Sequence, residues 1–187
     1  MIRWVAGLVA ILPAIVVFAG AVAGSETPRK RSLIEDLGIK RMFGWPPNGH
    51  DVLRLMHEFD MVQIRAAGIA ATRGNDAVQR FALEQAERAQ EREAAIARLN
   101  MFALLNIDFA ADPSLVRRNE LAGLQGAVGE AFVRDYTARQ KDDIADTIGM
   151  LQRYLLNPDN DDVRRFAEAQ LPLLKQALRS LPPASAP

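Results

Sequence analysis

A reactive centre in a helical protein is commonly assembled from histidine, cysteine and paired carboxylates, and the spacing of those residues decides what they can hold. The only histidines are His50 and His57, and there is no cysteine. A carboxylate-bridged metal pair in a helical bundle takes inward glutamates and a Glu-x-x-His step from each of two helices. Pro47 and Arg54 stand three residues before the two histidines, so that step cannot be written. His50 and His57, seven apart and beside Glu58, offer at most a weak surface metal site, and His50 falls before the first helix. Surface histidines without a role are the simpler reading. Glu93 and Asp143 are the acidic residues nearest the inward stripes, and neither has a histidine three residues away. No Ser, His, Asp set has positional support, and no glycine-rich phosphate loop is present. The expectation is therefore no catalytic residue, no cofactor and no iron, manganese or zinc inside the fold. The lack of cysteine also removes disulfides, thiolate sites and a lipid-bearing cysteine.

One polar pattern does recur. An aromatic residue is followed four positions later by glutamine at Phe59 and Gln63, Phe81 and Gln85, Tyr136 and Gln140, and Phe166 and Gln170. A spacing of four puts both side chains on one helix face. The pattern is either an interior polar layer, with glutamines bonding one another or a ligand, or a by-product of glutamine's good helix propensity. Gln63 and Gln85 are equally far from a turn at residues 74 and 75, which places a possible layer there. Gln140 and Gln170 are offset by about 9 Å at 1.5 Å per residue.

The elements that would carry these residues are helical. Val52, Leu55, Met56, Phe59, Val62, Ala66 and Ile69 trace an apolar stripe, and Gly74, Asn75 and Asp76 supply a stop and a new N-cap. The second helix turns Val78, Phe81, Ala82, Ala86, Ala89, Ile96 and Leu99 inward. Glu84, Glu87, Arg88, Glu91 and Arg92 populate mainly its solvated side, with Glu84 and Arg88 at pairing distance. After a loop over 106–111, Asp112 and Pro113 are an N-cap and first-turn pair for a short third helix to about Leu124. Gly126 and Gly129 separate or kink the start of a fourth helix carrying Phe132, Tyr136, Ile144, Ile148, Leu151 and Leu155. A fifth, from about Asp161 to Leu181, turns Val163, Phe166, Ala167, Leu174, Ala177 and Leu178 inward and is loosened at Pro172. Asp76 to Gln85 and Asp161 to Gln170 match at six of ten positions, as two similar hairpins would.

Ahead of the bundle, Trp4 to Ala23 carries no charge. It is a cleaved signal peptide ending in Ala21, Val22 and Ala23, or an uncleaved anchor of nearly spanning length. Arg29, Lys30 and Arg31 oppose translocation of the chain beyond them and keep the second reading open. Residues 24–50 read as a linker with a short helix from Ser32 to Gly38. Leu33, Ile34, Leu37, Met42, Phe43 and Trp45 there either cover one end of the bundle or dock on a membrane or partner. Lys plus Arg (23) balances Asp plus Glu (23), so no net field draws in nucleic acid.

Val78, Phe81 and Ala82 after a polar turn, Gly129, Phe132 and Tyr136 at the head of the fourth helix, and Val163, Phe166, Ala167, Leu171 and Pro172 in the last carry a resemblance. Over about 52–181 the chain resembles the exported bacterial "predicted outer membrane protein" domains catalogued as domain of unknown function 4142. That resemblance implies a ferritin-like bundle and an envelope location, without an established reaction. Members commonly hold histidines in the second, fourth and last helices. The matching positions here are Ala89, Ile144 and Ala177, and Val133 replaces a usual aspartate, which marks a divergent member. The expected fold is all-α: an antiparallel four-helix bundle of ferritin-like type with an additional short helix, preceded by an N-terminal hydrophobic targeting helix. The expected divisions are 1–23, 24–50, 51–181 for the bundle and 182–187 as a disordered tail. The expected function is a cell-envelope bundle that binds or serves a structural, stress-associated role. Its partner would be an envelope protein, peptidoglycan or lipid, with a membrane added if 4–23 stays uncleaved. The alternative is a metal-dependent ferritin-like oxidoreductase.

Overall fold

Every apolar stripe from Val52 onward becomes a helix in the computed structural model, which describes residues 46–184. The described residues form five helices and no strand. The hydrophobic segment 4–23, the short helix at 32–38 and the apolar set 33–45 lie outside them. No helix among the described residues is long and apolar enough to cross a membrane.

Helix α1 spans Gly49–Arg73. It starts earlier than the stripe suggests because Asn48 and Asp51 form a capping box: the Asp51 N–H donates to Asn48 Oδ1 at 2.8 Å and the Asn48 N–H to Asp51 Oδ2 at 3.3 Å. His50, expected ahead of the helix, is thus in its first turn, and the linker ends at Asn48. Gly74 ends α1 for reasons of space rather than backbone freedom. Its φ is −78°, but a Cβ there would lie 2.8 Å from Val78 Cγ1 and 2.9 Å from the Ala70 carbonyl. Asn75 then caps α2, Asp76–Phe102, by accepting from the Val78 N–H at 3.0 Å.

The third helix departs from expectation. Its N-cap is Ser114, which accepts from the Arg117 N–H, and α3 runs Leu115–Gly126. Asp112 does not cap it; its Oδ1 takes the Arg65 guanidinium at 2.5 Å. Gly126 and Gly129 separate two helices: α4 spans Gly129–Leu155, and Gly129 enters it at φ +57°, a conformation costly for a residue with a Cβ. Helix α5, Asp161–Arg179, is capped by Asn160 and continues through Pro172, which removes one hydrogen-bond donor from its middle. Beyond it Leu181 packs on the core and Pro182 is buried.

Helix α1 packs against all four others; α4 packs on α5 and α3, and α2 on α5. The α1 start meets the α4–α5 turn, where the Gly49 N–H donates to Asp159 at 2.8 Å. The α1 end meets the start of α4, where Arg73 Nη1 donates to the Ala127 carbonyl at 3.1 Å. The two helices are therefore antiparallel. The connection from α2 to α4 runs alongside α1, touching it at His57 (through Ala110), Arg65 (through Asp112) and Arg73 (through Ala127). Val52, Leu53, Met56, Phe132, Tyr136, Ile144 and Leu151 centre the core. Phe81 and Phe166, from the repeated string, are both buried. A fully buried side chain of this kind contributes about 1.5–3 kcal/mol.

Candidate functional site

The core stripes bring polar residues inward with them. Gln63, Gln85 and Gln140 are each 1% exposed, as buried as the leucines around them. Gln63 and Gln85 stand on adjoining helices, yet they do not bond each other. Both side-chain atoms of each amide are buried without a hydrogen-bond partner, as are Oε1 of Gln140, Oε1 of the half-buried Gln170 and Oγ1 of Thr137. An unpaired buried polar group costs about 1–3 kcal/mol. Five such atoms sit on the three fully buried glutamines, and left unserved they would weigh on the scale of a whole domain's stability, about 5–15 kcal/mol.

The heights of these residues follow from the contacts that pin the helices. Between the Gly49–Asp159 and Arg73–Ala127 contacts, Gln63 stands two residues beyond the midpoint of its span and Gln140 three beyond the midpoint of its own, toward the same end. They are at nearly one level. Measured from the α1–α2 pairs His57–Glu93 and Arg92–Asp60, Gln85 falls within about one turn, 5.4 Å, of Gln63. Gln170 is displaced toward the Phe59 level.

Two groups of charged side chains flank the core, and sequence reasoning missed the heart of the first. Asp60 is fully buried and Arg92 is 3% exposed; the guanidinium donates through Nε at 2.8 Å and Nη2 at 2.6 Å to Asp60 Oδ1, and sits 5.3 Å from the centre of the Phe59 ring. Arg92, expected on the solvated side, is therefore an interior residue. A signal was present, because Gln85, Ala89, Arg92 and Ile96 recur at four, three and four residues, the spacing of one inward face. Beside this pair His57, expected at the surface, bonds Glu93 Oε2 through Nδ1 at 2.7 Å and the Ala110 carbonyl through Nε2 at 2.9 Å. Its ring also packs 4.9 Å from that of Phe109. Both nitrogens face acceptors, so the geometry calls for the doubly protonated imidazolium.

The electrostatics agree. The hydrogen bond to Glu93 holds the His57 pKa above its ordinary value against the opposing effect of burial. Burial pushes the Asp60 carboxyl up to about 7, although Arg92 pulls the other way. The second group joins α3 to α4. Arg117 Nη1 donates to Asp143 at 2.6 Å and to Glu120 at 3.0 Å, and Arg139 approaches Glu120 at 2.9 Å. Burial raises the Asp143 pKa, opposed by Arg117; burial works against the Arg117 charge, but Asp143 and Glu120 outweigh it.

Each group thus sets two cations against two carboxylates. Glu93 and Asp143, the acidic residues singled out as possible metal ligands, are both engaged by a cationic side chain. Among the described residues no three His, Cys, Asp or Glu side chains converge as a metal ion requires. Ala89, Ile144 and Ala177 are buried apolar positions. His50 is exposed, one turn or more from the interior groups.

Outside the core, Ala95, Leu99, Phe102 and Ala103 at the end of α2 face Asp162, Arg165 and Phe166 at the start of α5 across a cleft of about 500 Å³, with Arg98 at its margin. Phe102 is exposed there, and its sequence neighbours Met101 and Leu104 are exposed as well.

Comparison with known proteins gives no match among curated sequences and none among solved structures. A family model does match, over residues 46–181, which takes in all five helices. The chain belongs to that family, DUF4142, a domain of unknown function.

Proposed function

We propose that this protein is a cell-envelope helical bundle that acts by binding, or as a structural, stress-associated element, in preference to metal-dependent oxidation chemistry. The observation that carries the reading is the self-neutralised interior. A divalent ion in a helical bundle is held by convergent carboxylates and imidazoles whose negative charge it offsets. Here Arg92 and His57 already offset Asp60 and Glu93, and Arg117 and Arg139 offset Asp143 and Glu120. To gain these carboxylates a metal would have to compete with a guanidinium at Asp60, Asp143 and Glu120 and with the His57 imidazole at Glu93.

The helix order supports a ferritin-like arrangement within this reading. Two antiparallel hairpins, α1–α2 and α4–α5, are joined by one connection that runs the length of α1, and a single long crossover distinguishes ferritin-like bundles from up-and-down ones. The metal-dependent oxidoreductase remains the contrasting reading. The exposed Phe102, Met101 and Leu104 beside the α2–α5 cleft support contact with an envelope protein, peptidoglycan or lipid, since clustered exposed apolar residues mark interaction surfaces. The balanced charge argues against nucleic acid. Export or anchoring through residues 4–23 is part of the proposal.

Elemental analysis of full-length protein from metal-supplemented medium separates the two readings. Less than stoichiometric iron, manganese and zinc is expected. A tightly held ion per chain, lost in Glu93→Gln or Asp143→Asn, would overturn the binding-bundle reading. Capture from envelope fractions with wild type and Phe102→Glu then tests the surface, with capture expected only for wild type.

A further inference from the structure

We infer that the interior of the bundle is a binding site for a small uncharged hydrogen-bonding guest, water or a neutral solute, clasped by Gln63, Gln85 and Gln140. Three observations converge. These side chains come from three different helices and lie within about a turn of one level. All three are 1% exposed, so bulk solvent does not serve them. Their amides are idle: both ends of Gln63 and Gln85 and the carbonyl of Gln140 meet no protein partner. Exchanging the oxygen and nitrogen of an amide leaves the conclusion intact, because in Gln63 and Gln85 both atoms are unpaired. Thr137 Oγ1, three residues before Gln140 and on the same face of α4, is buried and unpaired as well.

The chemistry of the lining fixes the class of guest. Amides offer donors and acceptors in equal measure, so the guest must do both. It carries no net charge, because the lining has none to oppose it and the nearby cations are already paired with carboxylates in their own quartets. It is small, because Phe59, Phe81 and Tyr136 stand one turn from the three glutamines and are themselves buried. Water fits these terms, since buried waters typically make about three hydrogen bonds to polar groups that lack a protein partner. A small neutral amide or polyol fits them too. The site is independent of what the outer surface binds.

The test uses the full chain in solution. Oxygen-17 relaxation dispersion counts waters held longer than the molecule tumbles. A long-lived population is expected in wild type and should be lost in the Gln63→Leu, Gln85→Leu, Gln140→Leu triple variant. If the triple variant fails to fold, the single near-isosteric Gln85→Met replaces it and should lose part of the signal. A wild type without that population but with a stoichiometric neutral molecule in native mass spectra identifies the guest as a solute. A wild type with neither overturns the inference. So do nuclear Overhauser contacts that join the glutamine amides to one another and none that join them to water.

Discussion

Replacing Arg92 by methionine keeps the stem that packs near Phe59 and deletes the charge that Asp60 relies on. Breaking a buried pair from one side typically costs about 3–5 kcal/mol, because the surviving charge is left uncompensated, whereas an exposed pair is worth about 0–1 kcal/mol. With Asp60 fully buried and Arg92 3% exposed, the larger range applies. The cost should depend on pH. Asp60 in the folded protein has a pKa of about 7, raised from 3.8 chiefly by burial. A group whose folded pKa is raised holds its proton more tightly when folded. Its contribution to stability is complete below 3.8 and is lost as pH rises through about 7. Without Arg92 the carboxyl should stay protonated to still higher pH, so the methionine variant should lose little at pH 5 and most at pH 8. Urea unfolding at the two pH values measures this. The double variant Asp60→Asn, Arg92→Met removes both charges and should recover most of the loss, and Asp60→Asn alone should flatten the pH dependence between 4 and 7. A loss below about 1 kcal/mol at pH 8, or equal losses at both pH values, would refute the argument that this pair is desolvated.

Phe81→Ala should cost about 3–5 kcal/mol in the same assay, the range for emptying an aromatic site in a core. Gly74→Ala should cost about 1–3 kcal/mol by crowding Val78 and the Ala70 carbonyl, and Val78→Ala in the same chain should relieve part of the crowding that glycine avoids. His57 has a raised pKa, so its stabilising effect is present below 6.5 and fades as pH climbs through the folded value. Protection of the 103–114 amides, taken relative to their intrinsic base-catalysed exchange rates, should therefore fall at alkaline pH in wild type and be low and independent of pH in His57→Ala.

The helices were legible because their signals are local. Apolar residues at three- and four-residue intervals, and the Asn75 cap with Gly74 before it, act within one or two turns, and the elements they set are close to those observed. The start of the third helix is not legible locally, because capping depends on which polar side chain is free. Asp112 and Ser114 are both good caps, and tertiary contacts distinguish them: Asp112 meets Arg65 and the Ser114 N–H meets Glu58, both on another helix. The burial of Arg92 is hidden for a similar reason. A helical arginine four residues after Arg88, in a run of charges, has the local pattern of a solvated face. Its burial depends on Asp60, thirty-two positions earlier in the chain. His57 looked idle because its acceptors, Glu93 and the Ala110 carbonyl, are likewise distant in sequence. The glutamine pattern was visible as a spacing, but its burial and the idle state of its amides exist only once four helices are assembled.

The two charge quartets and the glutamine layer bear on one another through specificity. A buried ion pair is poor evidence of added stability, since well-packed apolar replacements are often neutral or better, while a mispaired charge is severely penalised. Asp60 on α1 must meet Arg92 on α2, and Asp143 on α4 must meet Arg117 on α3; sliding either pair by one residue would bury unmatched charge. Apolar contacts in this core, rich in alanine and aliphatic side chains, tolerate such slips far better. The fully buried Asp60–Arg92 pair therefore favours one register of α1 against α2. That register keeps Gln85 within about a turn of Gln63, while the Gly49–Asp159 and Arg73–Ala127 contacts hold Gln140 near the Gln63 level, where the amides meet no protein partner. An arrangement chosen for stability alone would have filled those positions with leucine. Disrupting the Asp60–Arg92 register should consequently disturb the glutamine layer even where the helices survive, a coupling that a merely decorative polar layer would not show.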